Sequence, residues 1–328
     1  MTDLRTAYMG LELANPIIVG SCGLTGSVRG VERCAEAGAG AVILKSIFEE
    51  QIAYEVDAAM AASADSIWHS EAIAYVANYT EKGSVGRYLS LISDAKKAVD
   101  IPVIASVHCV SAEIWADFAA RAENAGADAL ELNAFILPSD PQVDGASIEG
   151  VYFDVVRAVT EKVSIPVALK LGSYFSGLAN ALCKLGDSGI GAVTLFNRFF
   201  ASDIDTEKLE LSAARSLSDA NEYLLPLRWV SILHGRIGCD ISATTGVHDV
   251  QTIVKLLLAG ADTVQVASAL YKHGIDYLAR LVEDLRAWAS AHGFAAIDDF
   301  RGMLSQRNAA NPAAYERVQF MKFSSGME

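Results

Sequence analysis

Short apolar segments recur along the chain, and several follow a turn of small residues. This combination occurs at residues 37–45, 125–133, 188–196 and 259–267. Each copy follows an amphipathic stretch typical of a helix, and its glycine indicates where that helix ends. An apolar run without polar alternation is typical of a parallel strand that is covered on both faces. The pattern therefore predicts repeated helix–strand units.

A second pattern places a proline directly before an apolar run, at Pro102 and Pro166. Proline is tolerated there because the strand ladder has not yet begun. With residues 17–21 and 241–244, this gives eight predicted strands. Helices are predicted at 28–37, 87–99, 111–125, 148–163, 177–188, 247–259 and 270–291. This alternation predicts an α/β fold, a (β/α)8 TIM barrel, with residues 1–328 as one domain.

A doubly wound open sheet is the alternative fold. Such a sheet usually has a G-x-G-x-x-G turn after its first strand. The glycines in that part of the chain do not have this spacing; they are Gly20, Gly23, Gly26 and Gly30.

Two segments are longer than ordinary connections: residues 46–86 after strand two and residues 198–238 after strand six. Long loops in a compact domain are usually functional. On a barrel both would lie over the mouth, where binding and catalysis take place. We expect them to form lids or substrate walls, and part of either to contribute to a dimer contact.

Charge and cysteine content exclude several classes of protein. The net charge of −14 and the pI of about 4.9, without a basic cluster, argue against nucleic-acid binding. The five cysteines are scattered, which favours a reducing compartment and offers no zinc or iron–sulfur motif. The N-terminal residues lack the apolar core of a signal peptide, and no apolar run is long enough to span a membrane. We expect a soluble cytoplasmic protein with a small-molecule substrate and no metal.

Two lysines and two asparagines lie at predicted strand ends: Lys45, Lys170, Asn133 and Asn197. Carboxylates are scarce there. A lysine that ends an apolar strand favours an anionic ligand, although it can also extend to solvent. A flavin fits physically, because its ring edge gains negative charge on reduction and a lysine stabilises that charge. The asparagines offer donors and acceptors to a flavin edge or a substrate, although Asn133 alternatively only caps a loop.

These residues resemble those of the dihydroorotate dehydrogenases, particularly the soluble cytosolic class. Residues 14–17 and 21–23 resemble the family's K-N-P-F and A-S-G opening, and Lys45-Ser46 its T-K-S flavin contact. Residues 131–133 match the start of its E-L-N-L-S-C-P-N motif, and residues 166–170 the strand that carries its flavin lysine. Asn197 is similar to its substrate-binding asparagine, and residues 243–270 align with its phosphate-binding segment.

The resemblance implies FMN as cofactor and dihydroorotate oxidation in pyrimidine biosynthesis. It implies flavin contacts from Ser21, Lys45, Ser46, Asn133 and Lys170. It assigns the phosphate to Thr245, Gly246, Ala267 and Ser268, and the substrate to Asn133 and Asn197. It also implies a homodimer, and an iron–sulfur centre would belong to a separate electron-transfer subunit.

The substrate half departs from the family pattern. The cysteine of E-L-N-L-S-C-P-N is the family's general base, and Ile136 stands at that position. The substrate loop N-S-M-G-L-P-N has no convincing match at residues 74–79, and residues 244–246 keep one glycine of a pair. Candidates for a replacement base are Cys109, Cys22, Ser139 and Asp140, and a lysine near a thiol would lower its pKa. Cys109 and Lys45 are therefore the catalytic candidates, although both cysteines alternatively only fill space. Alternatively, Phe135 and Ile136 form an apolar wall over the flavin, which suits hydride or electron transfer without a base.

Three functions follow from these residues. The first is an FMN-dependent oxidoreductase of the dihydroorotate dehydrogenase type, acting on a CH–CH group. The second is a flavoprotein of the same fold with another substrate or an electron-transfer role, which Ile136 favours. The third is a phosphate-binding barrel lyase or aldolase in which Lys170 forms a Schiff base.

Overall fold

The structure, a computed structural model, describes residues 2–48, 83–108, 112–134, 136–199, 202–213 and 216–316. Its strands are β1 (Thr6–Tyr8), β2 (Leu11–Leu13), β3 (Ile17–Val19), β4 (Ala41–Ile43), β5 (Ile47–Phe48), β6 (Val103–His108), β7 (Ala129–Asn133), β8 (Val167–Leu171), β9 (Ala192–Leu195), β10 (Ser202–Asp205), β11 (Glu210–Ala213), β12 (Asp240–Ala243) and β13 (Thr263–Val266).

Eight parallel strands form a closed barrel in the order β3, β4, β6, β7, β8, β9, β12 and β13. Closure comes from pairing of β13 with β3 and of β4 with β6. The predicted (β/α)8 TIM barrel is confirmed, and the alternative open sheet is wrong because both of its edges would be unpaired. All eight predicted strands are present.

The helices are α1 (Val28–Glu36), α2 (Ser84–Ala98), α3 (Ala112–Asn124), α4 (Gly145–Thr160), α5 (Leu178–Gly186), α6 (Leu224–Leu233), α7 (Val250–Ala259), α8 (Ser268–His273) and α9 (Tyr277–Ala291). Side-chain caps start three of them: Ser27, Asp144 and Asp249 each accept a hydrogen bond from a backbone N–H in the first turn. Each of the seven predicted helices has a counterpart. The one predicted at 270–291 is divided into α8 and α9 at Gly274, which has a φ of 87°.

The segment after barrel strand six differs from the expected loop. It contains the exposed hairpin β10–β11 and then helix α6, which the sequence analysis missed. Pro226 lies in the first turn of α6, where a missing backbone N–H breaks no helical hydrogen bond. The insertion over the mouth is therefore shorter than residues 198–238. Of the insertion after strand two, residues 49–82 lie outside the described residues.

The N-terminal hairpin β1–β2 closes the bottom of the barrel. Tyr8 and Leu13, with 1% and 2% exposure, pack against the inward-facing Ile18, Ile43 and Ala168. The lower end is therefore filled by side chains, which leaves the carboxyl ends of the strands as the place for a ligand. None of the helices in the described ranges is long and apolar enough to cross a membrane.

Candidate active site

A cavity of about 260 Å³ opens at the carboxyl ends of β3, β8, β9, β12 and β13. Its lining includes seven residues that the sequence predicted for the site: Ser21, Lys170, Asn197, Thr245, Gly246, Ala267 and Ser268. These residues come from distant parts of the chain, and the barrel brings them together. Lys170 and the residues predicted to bind a phosphate therefore line the same cavity.

A second cavity of about 530 Å³ adjoins the first and shares Phe196, Asn197, Arg198 and Thr245 with it. Aromatic side chains form one wall, where the rings of Tyr174 and Phe199 meet edge to face at 4.8 Å. A polar cavity beside a partly apolar one suits a ligand that has both a charged group and a planar ring.

The floor of the first cavity carries an ion pair. Lys170 Nζ lies 3.5 Å from Glu131 Oε1, and their side chains are 12% and 1% exposed. The Lys170 ammonium also donates to Gln265 Oε1 at 3.3 Å. Of the few carboxylates expected at the strand ends, Glu131 thus lies beside this lysine. Glu131 faces inward because it lies two residues before Asn133 on β7, and alternate strand residues share a face.

The other oxygen of Glu131 completes a buried polar layer. Glu131 Oε2 accepts hydrogen bonds from Gln265 Nε2 at 2.7 Å and from Thr194 Oγ1 at 3.0 Å. Sequence analysis missed Gln265, although a glutamine within the otherwise apolar end of β13 was a signal of an inward polar role. The layer lies between the apolar bottom of the barrel and the residues at its mouth.

Asn133 ends β7 and Asn197 follows β9, the two strands that flank β8, and the two side chains meet. Asn197 Nδ2 donates to Asn133 Oδ1 at 2.5 Å, and Asn133 is the register partner of Lys170. The backbone oxygen of Asn133 also bonds His108 Nδ1 at 2.6 Å. The predicted substrate pair is therefore held together beside the lysine, which orients both amides before any ligand binds.

The opposite end of the cavity has small side chains and left-handed backbone. Thr245 and Gly246 have φ values of 78° and 73°. A Cβ atom on Gly246 would lie 2.3 Å from the backbone nitrogen of Tyr223, so only glycine fits. Ala267 and Ser268 line the same end of the cavity, and small residues of this kind let a ligand approach the backbone closely. A phosphate at this end of the cavity stays a prediction.

The loop of residues 216–218 lies over this end and is anchored by hydrogen bonds. Ser218 N donates to Ser268 Oγ at 3.1 Å, and Lys272 Nζ donates to Ser218 O at 3.1 Å. His248 Nε2 lies 2.9 Å from the same carbonyl oxygen. Burial, and then the charge of Lys272, lower the pKa of His248. The loop is thus part of the cavity wall.

Two further predicted residues, Lys45 and Ser46, do not line this cavity. Lys45 is exposed and lines a separate cavity of about 280 Å³ with Arg87 and Tyr88, so the structure does not bring it into the cavity of Lys170. Ser46 is buried, and its hydroxyl bonds those of Ser21 and Ser106 at 3.0 and 2.7 Å. Cys109 and residues 74–79 lie outside the described residues.

The altered motif after β7 contains no thiol or hydroxyl at the family's base position. Ile136 is half-buried, packs against the core, and its backbone N–H donates to Tyr152 Oη at 3.1 Å. Ser139 and Asp140 are exposed. Cys22 lines the cavity, but burial raises the pKa of its thiol, so the expected lowering is wrong for this cysteine.

Comparison with known proteins identifies the family, although no protein-family model matches the chain. The chain is similar to the catalytic subunit of dihydroorotate dehydrogenase B (NAD(+)) of Methanothermobacter thermautotrophicus, with 30% identity over 92% of this chain and 98% of that protein. The corresponding subunit of Thermoplasma volcanium is 27% identical over 94% of this chain and all of that protein. A putative dihydroorotate dehydrogenase A (fumarate) of Aeropyrum pernix is 32% identical over 65% and 70%. The chain thus belongs to the dihydroorotate dehydrogenase family, as a divergent member.

Proposed function

We propose that this protein is an FMN-dependent oxidoreductase that acts on the CH–CH group of dihydroorotate or of a closely related cyclic amide. The observation that carries the proposal is the cavity with Lys170 and Asn197 at one end and Thr245 and Gly246 at the other. The names of the relatives support the same reaction class. We further propose that the chain forms a single barrel domain, that the protein is cytoplasmic, and that it serves pyrimidine biosynthesis.

The residues at the cavity fit FMN. Residues 245–246 and 267–268 offer backbone donors and small side chains to a phosphate, and Lys170 offers a positive charge to the ring edge. Bound FMN would supply hydride acceptance. Asn133 and Asn197 would bind the amide and carboxylate groups of the substrate and hold them against the ring. Contacts of Ser21, Ser46 and Lys45 with the flavin, and a catalytic role for Cys109 or Lys45, stay predictions.

A second candidate is a flavoprotein of this fold with another substrate. Ile136 favours it, because a positioned base typically contributes about 10²–10⁴-fold to such a reaction and isoleucine supplies none. The lyase or aldolase is less well supported. An imine-forming lysine reacts as a free amine, whereas the Lys170 ammonium is paired with Glu131.

Two partners belong to the proposal. The names of the relatives describe a catalytic subunit, and we infer a separate electron-transfer subunit for this chain as well. We also propose a homodimer that uses the hairpin β10–β11, where Ile204, Leu209 and Leu211 are 64%, 85% and 80% exposed. Apolar side chains exposed in this way are common at protein interfaces.

Absorbance of the purified protein tests the cofactor. We expect a visible flavin spectrum as purified or after incubation with FMN. Lys170→Met should weaken FMN binding about tenfold, because a charge-assisted contact is lost. Lys184→Met, at an exposed lysine on α5, is the matched control and should bind normally. A protein that stays colourless with FMN would refute the proposal. If FMN binds, an assay with dihydroorotate and a reducible dye shows whether dihydroorotate or another compound is the substrate.

A further inference from the structure

The interior of the barrel contains a carboxylate to which the proposed chemistry assigns no role. Glu131 is 1% exposed and lies one layer below the mouth, two residues before Asn133 on β7. A charge buried this deeply is costly unless a partner of opposite charge compensates it. Its surroundings therefore indicate what it does.

The two oxygens of Glu131 have different surroundings. Oε2 accepts from Gln265 Nε2 and Thr194 Oγ1 at 2.7 and 3.0 Å, which fixes the carboxylate plane. Oε1 is buried and makes no hydrogen bond among the described residues. Its cationic neighbour is Lys170 Nζ, at 3.5 Å. The carboxylate is therefore held from one side and presents its other oxygen to the ammonium.

Gln265 connects the same two charged groups from the opposite wall. Its Nε2 donates to Glu131, and its Oε1 accepts from Lys170 Nζ at 3.3 Å. Gly20 makes room for this side chain, since a Cβ atom there would lie 3.3 Å from Gln265 Oε1. The ammonium thus has two acceptors below it, while Lys170 also lines the cavity above.

We propose that Glu131, with Gln265, is a positioning residue that holds the Lys170 ammonium at the floor of the cavity. A lysine side chain has four rotatable bonds and carries about 2 kcal/mol of rotamer entropy, so fixed acceptors decide where its charge lies. Glu131 lies beneath Lys170 and acts on the bound ring only through it. The effect on FMN rests on the proposed function, whereas the placement of Lys170 does not.

Chemical labelling of the protein without cofactor tests the placement. Acetic anhydride should label Lys170 slowly relative to the exposed Lys184, as measured by peptide mass spectrometry. Glu131→Gln keeps the shape but removes the charge, and we expect Lys170 labelling to rise about tenfold because its ammonium loses its buried counter-ion. Thr194→Val is the matched control: it removes one hydrogen bond from Glu131 but keeps the ion pair. An unchanged Lys170 rate in Glu131→Gln overturns the proposal.

The reduction potential of bound FMN tests the consequence. We expect Glu131→Gln to lower the ratio of reduced to oxidised FMN at fixed potential about tenfold. This corresponds to a midpoint potential that is lower by about 30 mV for two electrons. Glu131→Asp should restore part of this loss. Glu131→Gln added to Lys170→Met should change nothing further, because both act through one group. A merely structural role would change stability and leave the potential at its wild-type value, which would refute the inference.

The outcomes separate this inference from the proposed function. If wild-type protein binds no FMN, the proposed function fails, and the labelling comparison still decides whether Glu131 holds Lys170. If Glu131→Gln does not fold, Gln265→Met decides instead. That variant keeps the ion pair and loses the bridge, and we expect a smaller rise in labelling and a smaller fall in the reduced-to-oxidised ratio. If Gln265→Met leaves both the labelling rate and the reduced-to-oxidised ratio at their wild-type values, the proposal is overturned.

Discussion

Lys170 and Lys45 have the same sequence context, an apolar run that ends in lysine, but their surroundings differ. β8 continues to Leu171, so Lys170 is still within the strand and its side chain points into the barrel. β4 ends at Ile43, two residues before Lys45, and Lys45 is exposed. The difference lies in where each strand stops pairing, and an apolar run alone does not show that point.

This difference predicts unequal effects on cofactor binding. We expect Lys170→Met to weaken FMN binding about tenfold and Lys45→Met to weaken it less, because only Lys170 shares a cavity with the phosphate end. Fluorescence titration of both variants with FMN measures the two affinities. A larger loss in Lys45→Met would show that Lys45 reaches the flavin by another path.

The base position gives a second prediction for a single residue. Ile136→Cys places a thiol at the position that corresponds to the family's cysteine base. We expect the rate of dihydroorotate oxidation to rise by about 10²-fold. Ile136→Val is the control, since it changes size without adding an acid–base group. Steady-state rates with a reducible dye measure the effect. Equal rates in the two variants would show that this position is not beside the reacting carbon.

His234, at the end of α6, is held between two glycines. A Cβ atom on Gly260 or Gly302 would lie 2.3 or 2.2 Å from its ring, and His234 Nδ1 bonds Gly260 O at 3.1 Å. The contact joins α6 and α7 to the segment after α9, where Gly302 N donates to Leu257 O at 2.9 Å. Burial lowers the pKa of His234. The ring therefore serves as a spacer between these elements.

The packing around His234 predicts a large effect of one methyl group. Gly302 and Gly293 have φ values of 72° and 80°, but a Cβ atom on Gly293 meets nothing within 4 Å. Gly293→Ala should cost about 1–2 kcal/mol of unfolding free energy from its left-handed backbone. Gly302→Ala should cost about 1–3 kcal/mol more, because the new methyl group overlaps the imidazole. Urea unfolding of both variants checks this, and equal losses would contradict it.

Elements with local signals could be predicted from the sequence, and those that depend on distant pairing could not. Glycine-terminated helices and continuous apolar runs predicted the barrel strands and seven helices. Helix α6 was missed because Pro226 and the polar residues before it resemble a loop. Lys170 was predicted because it ends an apolar run, and the phosphate segment was predicted because its small residues follow two such runs. Glu131 and Gln265 are 134 residues apart, and only barrel closure makes them neighbours.

At the scale of the whole molecule, charged side chains connect the bottom of the barrel to the segment after α9. Asp262 Oδ2 accepts from Ile241 N at 2.7 Å, and Asp262 Oδ1 lies 3.3 Å from Arg301 Nη1. Arg301 also donates to Thr6 Oγ1 at 3.1 Å, which connects the N-terminal hairpin to the same cluster. Burial raises the pKa of Asp262 from 3.8 to about 6 despite these contacts.

The raised pKa of Asp262 predicts how stability changes with pH. Between about pH 4 and pH 6 the unfolded chain releases this proton while the folded protein retains it, so this residue's contribution to stability falls as pH rises. The total loss is about 3 kcal/mol, complete above pH 6. Asp262→Asn keeps an acceptor for Ile241 N and removes the titration. We therefore expect its unfolding free energy, relative to wild type, to increase by that amount between pH 4 and pH 7.

A carboxylate with the opposite shift provides the control for that measurement. The hydrogen bond from Ser147 N lowers the pKa of Asp144, so its contribution is present at neutral pH and is lost as pH falls. Asp144→Asn should therefore be destabilised relative to wild type at pH 7, with the difference shrinking in acid. Urea unfolding of both variants at several pH values gives two trends of opposite sign. If the difference in unfolding free energy between Asp262→Asn and wild type does not change with pH, the pKa of Asp262 is the same in the folded and unfolded protein. The prediction from burial would then be wrong.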